Sequence, residues 1–143
     1  MDIPITDRRK EIGDMFRKNN FVGLSKFGIE MIGGAEDFDC ANYVAYRLIG
    51  KAPPFIVDVL KRIPKSDEPQ QGLVFYGNGH GRGFVPLHYG IFKDGLVESK
   101  WDKGPVFKHK LEDVPDHYGS VAMFRSLDED LYLSLQEAIH GVR

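Results

Sequence analysis

The sequence predicts an α+β fold, with helices packed against a central antiparallel sheet, in one domain spanning residues 1–143. Three observations carry this. Up to Pro64 the chain reads as helices broken by glycine and proline. From Leu73 to Arg125 come five short β-rich runs separated by Gly, Asp or Pro, too closely spaced for crossover helices. The last stretch returns to helical spacing after a capping signal. Hydrophobic residues at 42% and charged residues at 28% suit a globular chain long enough to bury a core.

Composition also sets aside several classes of function. A net charge of −2 gives no basic footprint for nucleic acid or an anionic membrane surface. A single cysteine excludes an internal disulfide, and no Cys/His cluster has zinc spacing, so neither a metal nor a cofactor is expected. The opening "MDIPITDRRKEIGDMF" holds no apolar run and no stretch reaches membrane-span length. The expectation is a cytoplasmic protein without a signal peptide; export by a signal-independent route is compatible with it.

The elements follow in order. Residues 6–19 are polar with sparse apolar positions (Ile12, Met15, Phe16), the pattern of a surface helix. Residues 21–32 carry Phe21, Leu24, Phe27, Ile29 and Ile32 on roughly one helical face, with glycines close by. Asp39 is a good N-cap; from Cys40, Tyr43, Val44, Ala45 and Leu48 favour a buried helix that Gly50 ends. Pro53 and Pro54 open the short helix "FIVDVLKRI", which Pro64 stops. After a polar linker come the strands "LVFY" (73–76), "PLHYGIF" (86–92), "LVES" (96–99), "PVFKH" (105–109) and "SVAMFR" (120–125). Between the first two lies "GNGHGRG" (77–83). It lacks the Gly-Lys-Ser/Thr ending of a phosphate loop and reads as a strand connection that could border a groove. Ser126 and Glu129 have capping-box spacing before Leu131, Leu133, Leu135 and Ala138, with Gly141 as the stop.

Cys40 raises the question of chemistry. At a helix N-terminus, free N–H groups and the helix dipole stabilise a thiolate and can hold an oxyanion. Taken alone, Cys40 reads more simply as a small buried core residue. A nucleophile needs a base, and the five histidines differ in setting. His140 suits a helix C-terminus, His80 lies in the glycine-rich loop, and His109 and His117 give no partner signal. His88 sits on a strand that leads into a hairpin.

That hairpin proposes a third group. A three-residue turn at Lys93-Asp94-Gly95 pairs Gly90 with Glu98 and turns Glu98 towards His88, where a carboxylate fixes the imidazole. A two-residue Asp-Gly turn slips the register and brings Ser99 to His88's face instead. Glu98 is otherwise an exposed strand carboxylate.

Three stretches, "IGGAEDFDCANYVAYRLIG", "PQQGLVFYG" and "LHYGIFKDGLVES", together resemble the NlpC/P60 peptidases of the papain-like cysteine hydrolases. That family shows Gly-Gly before Phe-Asp-Cys-Ser-Gly, then a Pro-Gly-Asp-Leu-Val-Phe-Phe strand and a His-Val-Gly-Ile-Tyr hairpin. The match runs from about residue 25 to residue 100. It implies a papain-like fold, with Cys40 as nucleophile and His88 as general base. Glu98 falls where the family usually has a second His, and Asp39 matches the Asp before the nucleophile. Gly33 and Gly34 match the glycine pair. The implied reaction is cleavage of an amide, such as a cell-wall peptide bond. Three positions depart from the pattern. Ser-Gly becomes Ala41-Asn42, the strand's Asp is missing before Leu73, and Glu30 replaces a Tyr that helps the oxyanion. Asp39 and Trp101 are the candidate substrate-binding residues, Trp101 either lining a pocket or simply packing. The competing reading is a non-catalytic binding module in which Cys40 is structural.

Overall fold

A computed structural model describes residues 1–34, 38–52 and 55–140, with the side chains of 138–140 left aside. The Pro53–Pro54 pair, the Ala138 and His140 side chains, and the stop at Gly141 lie outside the described residues.

Thr6 starts the first helix, α1 (Asp7–Arg17), its hydroxyl accepting from the Arg9 amide at 3.1 Å. Ile12 and Phe16 are buried as an amphipathic face requires, and so is Arg9. The Arg9 guanidinium donates to the carbonyls of Ile3 (2.8 Å), Val114 (3.1 Å) and Pro115 (3.0 Å), tying three segments together. Residues 21–32 do not form one helix. A short α2 (Phe21–Ser25) ends early, Gly28 turns the chain at φ 77°, and β1 (Glu30–Gly33) follows. The apolar spacing there serves two elements, because left-handed Gly28 breaks the helix and pairing with another strand takes over the backbone groups.

The next helix agrees with expectation at both ends. In α3 (Cys40–Ile49), the Asp39 carboxylate accepts from the Asn42 amide at 2.8 Å. Gly50 closes the helix at φ 74°, its amide donating to Tyr46 at 2.8 Å. Then come α4 (Ile56–Arg62), β2 (Gly72–Asn78), β3 (Val85–Lys93), β4 (Leu96–Lys100), β5 (Val106–Lys110), β6 (Val121–Ser126) and α5 (Glu129–His140). Ser126 does not cap α5. It ends β6 with its hydroxyl on Gln70, and Asp128 accepts from the Leu131 amide at 2.9 Å instead. Asp at this position caps as well as Ser, and it stands directly before the first helical residue. The glycine-rich loop is the β2–β3 connection, as expected.

The sheet has six antiparallel strands in the order β1-β5-β4-β3-β2-β6, which makes the fold α+β. Helices cover both faces. On one, Ile12, Phe16 and Leu24 from α1 and α2 meet Val74, Tyr76, Val97, Phe107 and Phe124. On the other, Val44, Leu60 and Leu131 from α3, α4 and α5 meet Leu73, Phe75, Tyr89 and Met123. The alternation of Phe75 and Tyr76 between the two cores is the period-two rule in action. Each such side chain, fully buried, contributes about 1.5–3 kcal/mol.

The β3–β4 turn is the two-residue form. Asp94 (φ 53°) and Gly95 (φ 79°) are both left-handed, Lys93 pairs with Leu96, and Ile91 pairs with Glu98. The expected three-residue loop is therefore corrected: Asp tolerates the left-handed region, so Asp-Gly alone completes a turn whose twist matches the strands. Among the described residues, no helix is long and apolar enough to cross a membrane.

Candidate active site

Cys40 is the first residue of α3, and its side chain packs against the α3–α5 core. It is partly exposed. Burial nevertheless pushes the thiol up to about 11; the amides of Tyr89 and Ala41 lie against it and work the other way, while the Asp39 and Asp102 carboxylates raise it further. The helix terminus does not produce the lowered thiol pKa expected from its dipole, because desolvation of the sulfur outweighs it.

His88 lies opposite Tyr76 on β2 and shares its face of the sheet, the one covered by α1 and α2. The imidazole is fully buried, and neither ring nitrogen has a hydrogen-bond partner. Burial, with the charge of His109 adding, holds its pKa well below the usual histidine value, while Asp102 pulls the other way. No hydrogen bond joins it to Cys40, so the expected thiol–imidazole contact is not made. The thiol does lie against the amide of Tyr89, the residue after His88, although the Cys40 and His88 side chains belong to opposite faces of the sheet. At that level β3 pairs only with β2 among the described residues, because its ladder with β4 ends at Ile91–Glu98.

Glu98 does not orient His88. The two-residue turn puts it on the α3 face, where its carboxylate accepts from the Tyr43 hydroxyl and from Arg47 Nε at 2.6 Å. Burial opposes its charge, but Arg47 and Tyr43 outweigh this and keep the carboxyl below its usual value. Ser99 takes the alternative register yet is engaged elsewhere, 2.9 Å from His109 Nε2 and accepting from Trp101 Nε1 at 3.1 Å. Trp101 itself is fully buried, its ring 4.5 Å from Phe107 and 5.4 Å from Phe16. It packs as part of the core on the α1 and α2 face. Asp39 serves α3 as its cap and stands beside the thiol. Glu30 lies in β1, separated from β3 by two strands.

Sequence reasoning missed the groups that do surround His88. The Tyr118 ring stacks on it, and the Tyr118 hydroxyl donates to Asp102 at 2.9 Å. His117 Nε2 lies 3.2 Å from the same carboxylate. Asp102 is held below its usual pKa by the His117 contact and by Tyr118, against burial. Asp102 sits in a turn and "DHYG" in a single 3₁₀ turn (Asp116–Tyr118), with no periodicity to mark either.

Beside the first turns of α3 is a cavity of about 340 Å³ lined by Gly33, Gly34, Phe38, Tyr43, Tyr46 and Val106. No group of three or more His, Cys, Asp or Glu among the described residues could hold a metal ion. Compared with protein-family models, curated proteins and solved structures, the chain matches none.

Proposed function

We propose that the protein is a cysteine hydrolase of papain-like, NlpC/P60-type architecture, cleaving an amide bond in a peptide through Cys40 and His88. One observation carries the reading: His88 is buried with both ring nitrogens unpartnered. An unpaired buried polar group costs about 1–3 kcal/mol, and a phenylalanine would fill the same space without that cost. Such a group calls for a use. The cysteine-bearing helix backed against the histidine-bearing strand is the second support.

The protonation states point to a particular mechanism. A thiol held near 11 and a desolvated imidazole both rest neutral. The sulfur then attacks the carbonyl as its proton passes to His88, without a preformed ion pair. For this the thiol leaves the Tyr89 amide and meets the imidazole across the edge of β3 that β4 leaves unpaired. The oxyanion is held by amides in the first turn of α3. His88 returns the proton to the leaving amine, and water activated by His88 hydrolyses the thioester. Asp102 favours the transient imidazolium; Glu98 takes no part in this scheme.

A second reading, a non-catalytic binding module, is favoured by the raised thiol and by Tyr118 stacked over His88. A peptidyl chloromethyl ketone separates the two. The hydrolase alkylates at Cys40, at least tenfold more slowly in His88→Phe. Equal rates in both proteins, or alkylation only after denaturation, establish the binding module.

A further inference from the structure

A cavity of about 590 Å³ lies between α4, β6 and α5, and neither Cys40 nor His88 lines it. Its apolar wall is Val59 of α4 with Ile63 and Pro64 just beyond that helix. The rest is charged or polar. Asp130, Ser134 and Glu137 of α5 stand four and three residues apart, which puts them on one face of the helix. Arg62, the last residue of α4, and Arg125 of β6 complete the lining. The two arginines differ in what they hold. Arg125 donates to both Asp128 oxygens at 3.0 and 3.2 Å and to the Pro64 carbonyl at 3.3 Å, while its buried Nε–H has no acceptor. Arg62, Asp130 and Glu137 are exposed, and among the described residues no ion pair or hydrogen bond engages their charged groups. Opposite charges thus line one cavity without closing on each other, although direct contact is the simplest way for them to be neutralised.

We propose that this cavity binds a free basic α-amino acid, lysine or arginine, through its three charges. The uncommitted groups at the site are one guanidinium and two carboxylates; the ligand carries the complementary set, one carboxylate and two cations. Both arginines belong to the end of the cavity where α5 begins. Arg125 holds Asp128, which caps α5, and the Pro64 carbonyl, two residues after Arg62. The α-carboxylate therefore goes to Arg62, with the Arg125 guanidinium behind it, and the α-ammonium to Asp130. The ligand's side chain runs along α5 past Ser134, its methylenes against Val59 and Ile63, and its cation meets Glu137. The lengths agree. Seven residues of helix separate Asp130 from Glu137, roughly 10 Å along the axis. The two nitrogens of extended lysine are six bonds apart, roughly 7 Å, and the acidic side chains cover the difference. The volume lies in the range of small-molecule sites. Nothing in this assignment rests on the hydrolase reading.

The test titrates the full chain calorimetrically with L-lysine and with three analogues, each lacking one charge: lysinamide, Nα-acetyl-lysine and norleucine. Lysine should bind one to one with a dissociation constant of about 1 mM, as three solvent-facing ion pairs allow. Each analogue should bind at least threefold more weakly. Lysine itself should bind at least threefold more weakly to Arg62→Met and to Glu137→Gln, both substitutions at exposed positions that leave the fold intact. Arg62→Glu should reverse the preference. It leaves carboxylates alone at the cavity, so the diamine cadaverine should bind that variant more tightly than lysine does. No saturable binding at about 10 mM lysine, or unchanged binding in Arg62→Met, would overturn the proposal. So would cadaverine binding the native protein as tightly as lysine, which would reduce the site to an acidic surface that attracts any cation. Nα-acetyl-lysine binding as tightly as lysine would also overturn it and assign the cavity to the basic C-terminal residue of a peptide.

Discussion

Tyr118 lies flat against His88, with ring centroids 3.8 Å apart and planes 5° apart. Stacking holds the imidazole by its face and leaves its nitrogens to find partners at the ring edge, where none stands. His88→Phe keeps the stack and removes the unpaired polar atoms. It should raise stability by about 1–2 kcal/mol at pH 7.5, read from the urea midpoint, while slowing alkylation of Cys40. A less stable but folded His88→Phe would mean that the nitrogens are satisfied in solution.

Acid should unfold the protein through its buried histidines. Burial takes His109 down to about 4, against the weaker support of the Lys110 carbonyl and Asp113. A pKa lower in the folded state means that the unfolded chain binds the proton first. Stability is then intact above about pH 6.5 and is lost as the pH falls from there to about 4, by on the order of 3 kcal/mol for this group. His88 acts in the same direction. Urea midpoints at pH 7.5, 6, 5 and 4 should fall accordingly, and His109→Gln should flatten the decline.

Cys40 should be a slow thiol towards small reagents. With its pKa near 11, its thiolate fraction at pH 8 is on the order of a hundredfold below that of a free cysteine. Iodoacetamide should react correspondingly slowly and accelerate with pH up to about 11. Asp39→Asn removes a neighbouring negative charge and should speed the reaction. A rate at pH 7 matching that of an activated thiolate would contradict the neutral resting pair.

Glu98 should matter to stability more than to chemistry. Its carboxylate joins Tyr43 and Arg47 at a half-exposed site, so Glu98→Ala should cost about 1 kcal/mol. Chloromethyl ketone alkylation should stay within about twofold of the native rate. A tenfold loss would return Glu98 to the reacting centre.

Arg9 is predicted to be among the costliest positions outside the site. Arg9→Met leaves three buried carbonyls without their donor and should cost about 3 kcal/mol or more, measured by thermal or urea unfolding. Arg9→Lys should recover little, since one ammonium cannot reproduce the fork that reaches Ile3, Val114 and Pro115.

Much of the fold was legible because local rules agreed with tertiary ones. Asp39 and Gly50 bound α3 as capping chemistry requires, and the five strands of the second half lie where β-branched and aromatic runs placed them. What escaped were choices between near-equal local options. Either two or three residues could close the turn at Asp94-Gly95, and that single step decided whether Glu98 or Ser99 shared the face of His88. β1 was hidden inside a helical spacing because its partner, β5, lies far along the chain. Trp101, Asp102 and Tyr118, the last in a 3₁₀ turn before β6, owe their positions to contacts between segments far apart in the chain, which no short window contains.

The ladder between β1 and β5 pairs residue 31 with residue 107, the longest-range ladder in the sheet. During synthesis the first strand made is therefore the one that waits: it leaves the ribosome early and has no partner until β5 has emerged. Closing that long loop costs entropy that the neighbouring hairpins never meet, so β2, β3, β4 and β5 should order first and β1 should join a finished surface. The same hierarchy operates in the mature molecule. Amides of β1 should exchange through local openings that leave the rest of the sheet intact, so the edge that completes the architecture is also the part most readily detached from it.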